Sequence, residues 1–270
     1  MHTTNISIIV PCYNQSEYLK ESLTSVLEQN YNNWECIIVN DGSTDASEEI
    51  ANLWVEKDSR FKYISIKNGG LSNARNLGIA AAKSNYILPL DADDKISKDY
   101  VQLALKAFEC DNQLKVVYCK AKKFGMVNEL WNLAPFSLKS LATTNMIFCS
   151  AIFRKADWKS IGGYDINMLY GLEDWEFWIS LLKNGGKVKQ LDEIGFYYRI
   201  KESSMITNLT EDKRQHLYNY VSIKHADFYV NQFGSFQELL RQRFELKKMN
   251  RDLSKDKKHA LKVLIKSLFK

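Results

Sequence analysis

Four short runs of apolar, often β-branched residues mark the first third of the chain: ISIIV at 6–10, ECIIV at 35–39, KYISI at 62–66 and YILPL at 86–90. Each stops at a cluster of polar residues, the pattern of a buried strand running into a turn. Between the runs the apolar positions switch to helical spacing. Leu19, Leu23, Val26 and Leu27 share one face, and Ile50, Leu53 and Trp54 share another. Asp45 followed by Glu48 predicts a capping box that opens the second helix. Strand and helix alternating in this way predict an α/β fold, a doubly wound and mostly parallel sheet flanked by helices. After Lys115 the alternation weakens. Strands are expected at 115–119, 146–153 and 187–199, and a helix from about 174 to 184, where Trp175, Trp178, Ile179 and Leu182 form a stripe that Asn184-Gly185-Gly186 ends. From Leu209 onward the pattern is helical, so the sequence divides into a body, 1–207, and a helical extension, 208–270.

Composition narrows the class. A chain of 270 residues with 45% hydrophobic residues buries a sizeable core, and three prolines and twelve glycines exclude a collagen-like or low-complexity chain. The five cysteines (Cys12, Cys36, Cys110, Cys119 and Cys149) show no zinc-like spacing and are expected to be reduced and mostly buried. The opening MHTTNISIIV lacks the basic and long apolar regions of a secretion signal, and no stretch is long enough to span a bilayer. A cytoplasmic address is expected. The net charge is +5, but Gln237–Lys270 alone carries +7, which leaves the preceding residues at −2.

In a doubly wound sheet, ligands bind outside the carboxyl ends of the strands. Four polar loops fall there: PCYNQS, NDGSTD, NGGLSNARN and DADDKIS. Asp91 and Asp93, two apart at the end of a strand, project to one side. Such a pair suits a hard divalent cation bridging to phosphates, and equally suits a solvated turn before the next helix. Asp41, directly after the second strand, points toward the loop-lined edge and can accept a hydrogen bond from a base or ribose, whereas Asp-Gly is also an ordinary turn. Arg75, just after NGG at a helix start, suits an anion or nucleobase carbonyl, or a helix surface. In GLEDWEFW, Glu173 and Asp174 open a helix; they either stabilise its dipole or supply a general base walled by the neighbouring Trp and Phe rings.

The ordered set IIVPCYN, IIVNDGSTD, NGGLSNARNLGIA, YILPLDADD, IFRKADWKSIGGYD and GLEDWEFW resembles the inverting family 2 glycosyltransferases of the GT-A fold, over about residues 5–205. The resemblance implies a nucleotide held by Pro11, Tyr13 and Asp41, with Arg75 near the base or phosphates. It implies that Asp91 meets ribose or metal-bound water and that Asp93 ligates Mg²⁺ or Mn²⁺. Asp174 would be the base, and Glu173 would orient the acceptor or support Asp174. The implied reaction moves a sugar from a nucleotide diphosphate, UDP above all, to a hydroxyl of a saccharide or lipid-linked acceptor. In FYYRIKESSM the chain departs from the family: Lys201 stands where many members carry a His that helps hold the metal or diphosphate. A protonated lysine has no lone pair for a cation, so Lys201 and Arg199 are expected to meet the diphosphate directly.

Two other classes remain on the page. A sugar-nucleotide nucleotidyltransferase would need a glycine-rich, basic first loop, which PCYNQS is not. A silent nucleotide-sugar binding module would have lost the base or the DxD, and both are present. In the tail, Leu261, Leu264, Ile265, Leu268 and Phe269 alternate with Lys257, Lys258, Lys262, Lys266 and Lys270. That basic amphipathic pattern suits the inner face of an anionic membrane or packing against protein, and with no interleaved aromatics it gives no sign of nucleic-acid binding.

Overall fold

The computed structural model describes residues 6–268, without the side chains of 263, 264 and 266–268. The N-terminal MHTTN and Phe269 of the tail stripe lie outside them. The chain runs β1 (Ile6–Cys12), α1 (Ser16–Leu27), β2 (Trp34–Asp41), α2 (Ser47–Lys57), β3 (Phe61–Ile66), α3 (Leu71–Ala81) and β4 (Tyr86–Pro89). It continues through β5 (Lys95–Ile96), α4 (Tyr100–Cys110), β6 (Leu114–Gly125), β7 (Glu129–Trp131), α5 (Leu138–Leu141), β8 (Ile152–Arg154), α6 (Lys155–Ser160), α7 (Glu173–Leu182) and β9 (Lys187–Ile200). Three helices follow, α8 (Glu211–Lys224), α9 (Ala226–Phe233) and α10 (Phe236–Leu268).

The strands form one sheet in the order β3-β2-β1-β4-β8-β6-β9-β5, with β7 beside β6. Its long ladders, β1 with β2, β2 with β3 and β6 with β9, are parallel. The antiparallel pairings, such as β4 with β8, are two or three residues long. The sheet is therefore mixed and mostly parallel, as the alternating pattern implies. β1 and β2 are buried along their whole length, which is why they read as continuous apolar runs rather than as alternation.

Three local expectations need correction. Residues 146–151 are buried but not a strand; only Ile152–Arg154 pairs, Ile152 and Phe153 with β6 and Phe153 and Arg154 with β4. On α2, of the expected face Ile50, Leu53 and Trp54 only Trp54 is buried; Leu53 is exposed, and Ser47 and Ala51 are the other buried positions. No capping box forms at Asp45. One carboxylate oxygen accepts from the Ser47 N–H at 3.0 Å, while the other reaches the Ser16 N–H at 2.9 Å. Asp45 thus ties the starts of α1 and α2 together, drawing the loops after β1 and β2 side by side.

α3 lies close on the sheet. A Cβ at Gly78 would come within 2.5 Å of Ile9 Cγ2 and 2.9 Å of Val39 Cγ2, so only glycine permits this approach. The cysteines are free thiols, with Cys110 exposed and the other four buried. By compactness the chain falls into two units, residues 1–224 and 225–270, so that α8 belongs with the body. In the second unit α10 is a 33-residue helix whose described large apolar side chains, among them Leu246, Leu253 and Leu261, are exposed. No helix of the described residues is long and apolar enough to cross a membrane.

Candidate functional site

At the carboxyl ends of β1, β2 and β4 the loops enclose a cavity of about 780 Å³. Its walls include Pro11, Tyr13, Asp41, Asp91, Asp93, Glu173, Asp174 and Lys201. Of the residues singled out in the sequence for the nucleotide, metal or acceptor, Arg75 and Arg199 do not face it.

The first two loops are stitched to one another. Asn14, with a left-handed φ of 51°, accepts the Thr44 N–H at 2.7 Å and donates its own N–H to Ser43 Oγ at 2.9 Å. This leaves the Tyr13 ring half exposed at the cavity edge. Asp41 is buried, and its two carboxylate oxygens accept the Gly69 and Gly70 N–H groups at 2.7 and 2.9 Å. The anion thereby fixes the glycine turn that leads into α3, next to the helix's positive end.

Arg75, one turn into α3, is fully buried. Its guanidinium is 2.7 Å from Asp91 Oδ1 and 2.5 Å from Glu173 Oε1. One buried cation therefore joins the DxD loop to the start of α7. The two carboxylates hold its pKa above the usual arginine value despite burial, which pulls the other way. The next residue, Asn76, pins the following loop: Trp158 Nε1 and the Tyr164 N–H donate to its Oδ1 at 3.0 and 2.8 Å, and its Nδ2 donates to the Tyr164 carbonyl at 2.7 Å. Asn76 was not picked out in the sequence, although it adjoins Arg75 in the same motif.

α7 starts from Leu172, a non-glycine residue at φ 61°. Such a conformation costs of order 1–3 kcal/mol and persists where surrounding structure holds it. It turns consecutive carboxylates in different directions, Glu173 inward to Arg75 and Asp174 to the cavity. Asp174 accepts from Asn145 Nδ2 and from the Trp175 N–H, both at 2.8 Å. Burial, and next the charge of Glu173, push its pKa up to about 7. The aromatic wall expected around it is absent: Phe177 and Trp178 point into the core, where Phe177 stacks on Tyr164 at 4.1 Å, and Trp175 Nε1 donates to the Leu141 carbonyl. Trp131, Leu133, Asn145, Ile147 and Phe148 line the cavity instead. Trp131 ends β7, and the other four come from irregular chain between β7 and β8, Ile147 and Phe148 within the stretch expected as a strand.

On the DxD side, Asp91 is held from below, its Oδ1 by Arg75 and its Oδ2 by the Cys149 thiol at 3.4 Å. Asp94 is buried. It accepts the Arg199 N–H on Oδ1, its Oδ2 has no partner, and burial with the charges of Asp93 and Asp91 raises its pKa well above a normal carboxylate. Arg199 does not reach the cavity; its Nε donates to the Asp93 carbonyl and its guanidinium pairs with Glu21. Asp91, Asp94 and Cys149 bring ligand atoms within 4.8 Å of one another. A thiol whose pKa is raised by burial stays protonated and is no ligand for Mg²⁺ or Mn²⁺. The donors that fit a hard cation are the Asp91 and Asp93 oxygens on the cavity wall, which leave it free to take water and phosphate oxygens as well. Lys201 Nζ is 2.5 Å from Asp93 Oδ2.

Comparison with known proteins agrees with this geometry. Chondroitin synthase of Pasteurella multocida is 31% identical over 217 residues, which is 78% of this chain and 22% of that protein. The chain spans between 14% and 39% of the length of the curated relatives it was matched with. Among solved structures, S. aureus TarS 1-349 in complex with UDP-GlcNAc has a TM-score of 0.68 at 23% identity, covering 93% of this chain and 73% of that one. The mannosyltransferase PcManGT of Pyrobaculum calidifontis, in complex with GDP-Man and Mn²⁺, has a TM-score of 0.61 at 16% identity, covering 90% and 79%. The fold is therefore the GT-A fold. The model of the family described as Glycosyl transferase family 2 matches residues 7–174, more than half of the sequence, and the chain belongs to that family.

Proposed function

We propose that this chain transfers a sugar from a nucleotide diphosphate donor, UDP-linked, to a hydroxyl of a saccharide or lipid-linked acceptor, with inversion at the anomeric carbon. One observation carries the reading: Asp91, Asp93 and Asp174 line a single cavity, and Arg75 bridges its two sides. The volume is in the range of small-molecule sites.

In this reading Tyr13 offers a ring face to the base, and Pro11 and Asp41 shape the nucleotide end. Asp174 accepts the proton of the acceptor hydroxyl as that oxygen attacks opposite the leaving diphosphate. Its raised pKa suits a base that works near neutral pH. Asn145 and the Trp175 N–H hold its carboxylate in one orientation, so little reorganisation is needed at the moment of transfer. Glu173, paired with Arg75, supports Asp174 by tying the start of α7 to the DxD loop. Mg²⁺ or Mn²⁺, when bound, would be held by Asp93 and Asp91 and would supply positive charge to the leaving group. The UDP-GlcNAc of TarS and the synthase relative support a UDP donor and a role in polysaccharide synthesis. The basic α10 supports a place at the inner face of the cell membrane.

The test is nucleotide release by the purified chain from a panel of nucleotide sugars with Mn²⁺. Slow UDP release from one sugar supports transfer. Pyrophosphate release from UTP and a sugar 1-phosphate, with no UDP released from any nucleotide sugar, would favour a nucleotidyltransferase, and binding without turnover, even with acceptors supplied, a silent module.

A further inference from the structure

Lys201 follows the last residue of β9 and enters the cavity beside the DxD loop. Its ammonium is 2.5 Å from Asp93 Oδ2 and 3.1 Å from Gln15 Oε1, and it lies 4.9 Å from the centre of the Tyr18 ring. The pair is sheltered, with 16% of the lysine side chain and 21% of the aspartate side chain exposed. Sheltered charges attract more strongly than the same pair in open water. An ammonium has three donors and no lone pair. Placed on Asp93, it occupies the oxygen a divalent ion would take and repels that ion as well. The other cation nearby is not free to help: Arg199 stacks against Tyr18 and Phe124 and is tied to Glu21.

We propose that Lys201 is a built-in counter-cation for the donor's diphosphate, and that it competes with Mg²⁺ or Mn²⁺ for Asp93. Nucleoside diphosphate then binds this protein without metal, one ammonium N–H keeping Asp93 and another turning to a phosphate oxygen. Gln15 keeps the lysine pointed at the cavity while this happens. The inference rests on the nucleotide-sugar reading above and concerns only how the negative charge of the ligand is met.

Calorimetric titration of UDP and of GDP into the full chain, in EDTA and then with excess Mn²⁺, tests it together with Mn²⁺ binding alone followed by electron paramagnetic resonance. The expected wild-type result is nucleotide affinity that differs by less than about threefold between the two conditions, a gap under about 0.65 kcal/mol. Lys201→Ala and Lys201→Gln, checked for folding by circular dichroism, lose about tenfold or more in EDTA, regain affinity with Mn²⁺, and bind Mn²⁺ alone more tightly than wild type. Lys201→Arg keeps the metal-free binding. The proposal is overturned by wild-type nucleotide binding that needs Mn²⁺, or by Mn²⁺ affinity that the lysine variants leave unchanged. Failure of both nucleotides to bind in every condition brings down the donor reading and this proposal with it, whereas metal-dependent binding brings down this proposal alone.

Discussion

In the proposed mechanism Asp174 serves two opposed needs: it must be buried enough to hold a proton strongly, yet open enough to meet an acceptor. Asp174→Asn keeps the size but replaces one of the two oxygens that accept from Asn145 and the Trp175 N–H with an NH₂, and it cannot take the proton. Turnover should fall by about 10²–10⁴ while nucleotide binding, by calorimetry, stays near wild type. The wild-type rate should fall as pH drops below about 7, because protonated Asp174 is no base. Stability runs the other way. A carboxyl whose pKa is raised by folding costs stability as pH rises past its unfolded value, and the whole cost is present above about 7. Asp174→Asn should therefore melt higher than wild type at about pH 8 and lose that advantage near pH 4, each kcal/mol amounting to about 2–4 °C in a domain of this size. Arg75 poses the complementary case. It neutralises two carboxylates from below, so Arg75→Met leaves Asp91 and Glu173 without their cation. Removing one partner of a buried ion pair costs about 3–5 kcal/mol, and urea unfolding should show a loss in that range.

At the scale of elements, α3 organises the site. Its first turn is fixed by Asp41, its next residues send Arg75 to two carboxylates and Asn76 to the loop after α6, and Gly78 lets it sit against β1 and β2. Gly78→Ala forces a Cβ into Ile9 and Val39, and overpacking of this kind costs about 1–3 kcal/mol. It should show in denaturant midpoint and also weaken nucleotide binding, because α3 cannot shift without carrying Arg75 along. Loss of stability with nucleotide affinity unchanged would separate the helix from the site. The elements legible in the sequence are those whose burial is regular. β1 and β2 announce themselves because both of their faces are covered, and α7 because its apolar positions fall at helical spacing, although the helix is buried on nearly every side. The segment 146–151 is just as apolar but pairs with nothing, and an apolar run does not say whether a strand lies beside it. Arg75 was visible as a functional candidate, yet its burial was not, since only the fold brings Glu173, 98 residues away in sequence, to its guanidinium. Asn145 gave no signal because it reaches the cavity from irregular chain, and Trp131 none because it ends a three-residue strand too short to show an alternation.

Across the molecule, charge is distributed unevenly: 1–236 is nearly neutral, and the positive excess lies at 237–270. α10 keeps Leu239, Leu240, Phe244, Leu246, Met249, Leu253, Leu261 and Ile265 exposed among those charges. Apolar positions left exposed along a long basic helix are costly in water, and an anionic bilayer surface relieves both features, each lysine or arginine near it adding about 1 kcal/mol of attraction. Such attraction is screened by salt, since the Debye length shrinks to about 8 Å at physiological ionic strength. The full chain should therefore sediment with vesicles containing phosphatidylglycerol at low salt, less at high salt, and little with neutral phosphatidylcholine vesicles. A chain ending at Lys224 should remain in the supernatant throughout, because it lacks the basic helix and retains only the near-neutral body. If the helix instead pairs with a second copy of itself, the full chain will sediment as a dimer in the ultracentrifuge and ignore vesicle charge. An acceptor carried on a membrane lipid would then have to be reached without help from α10.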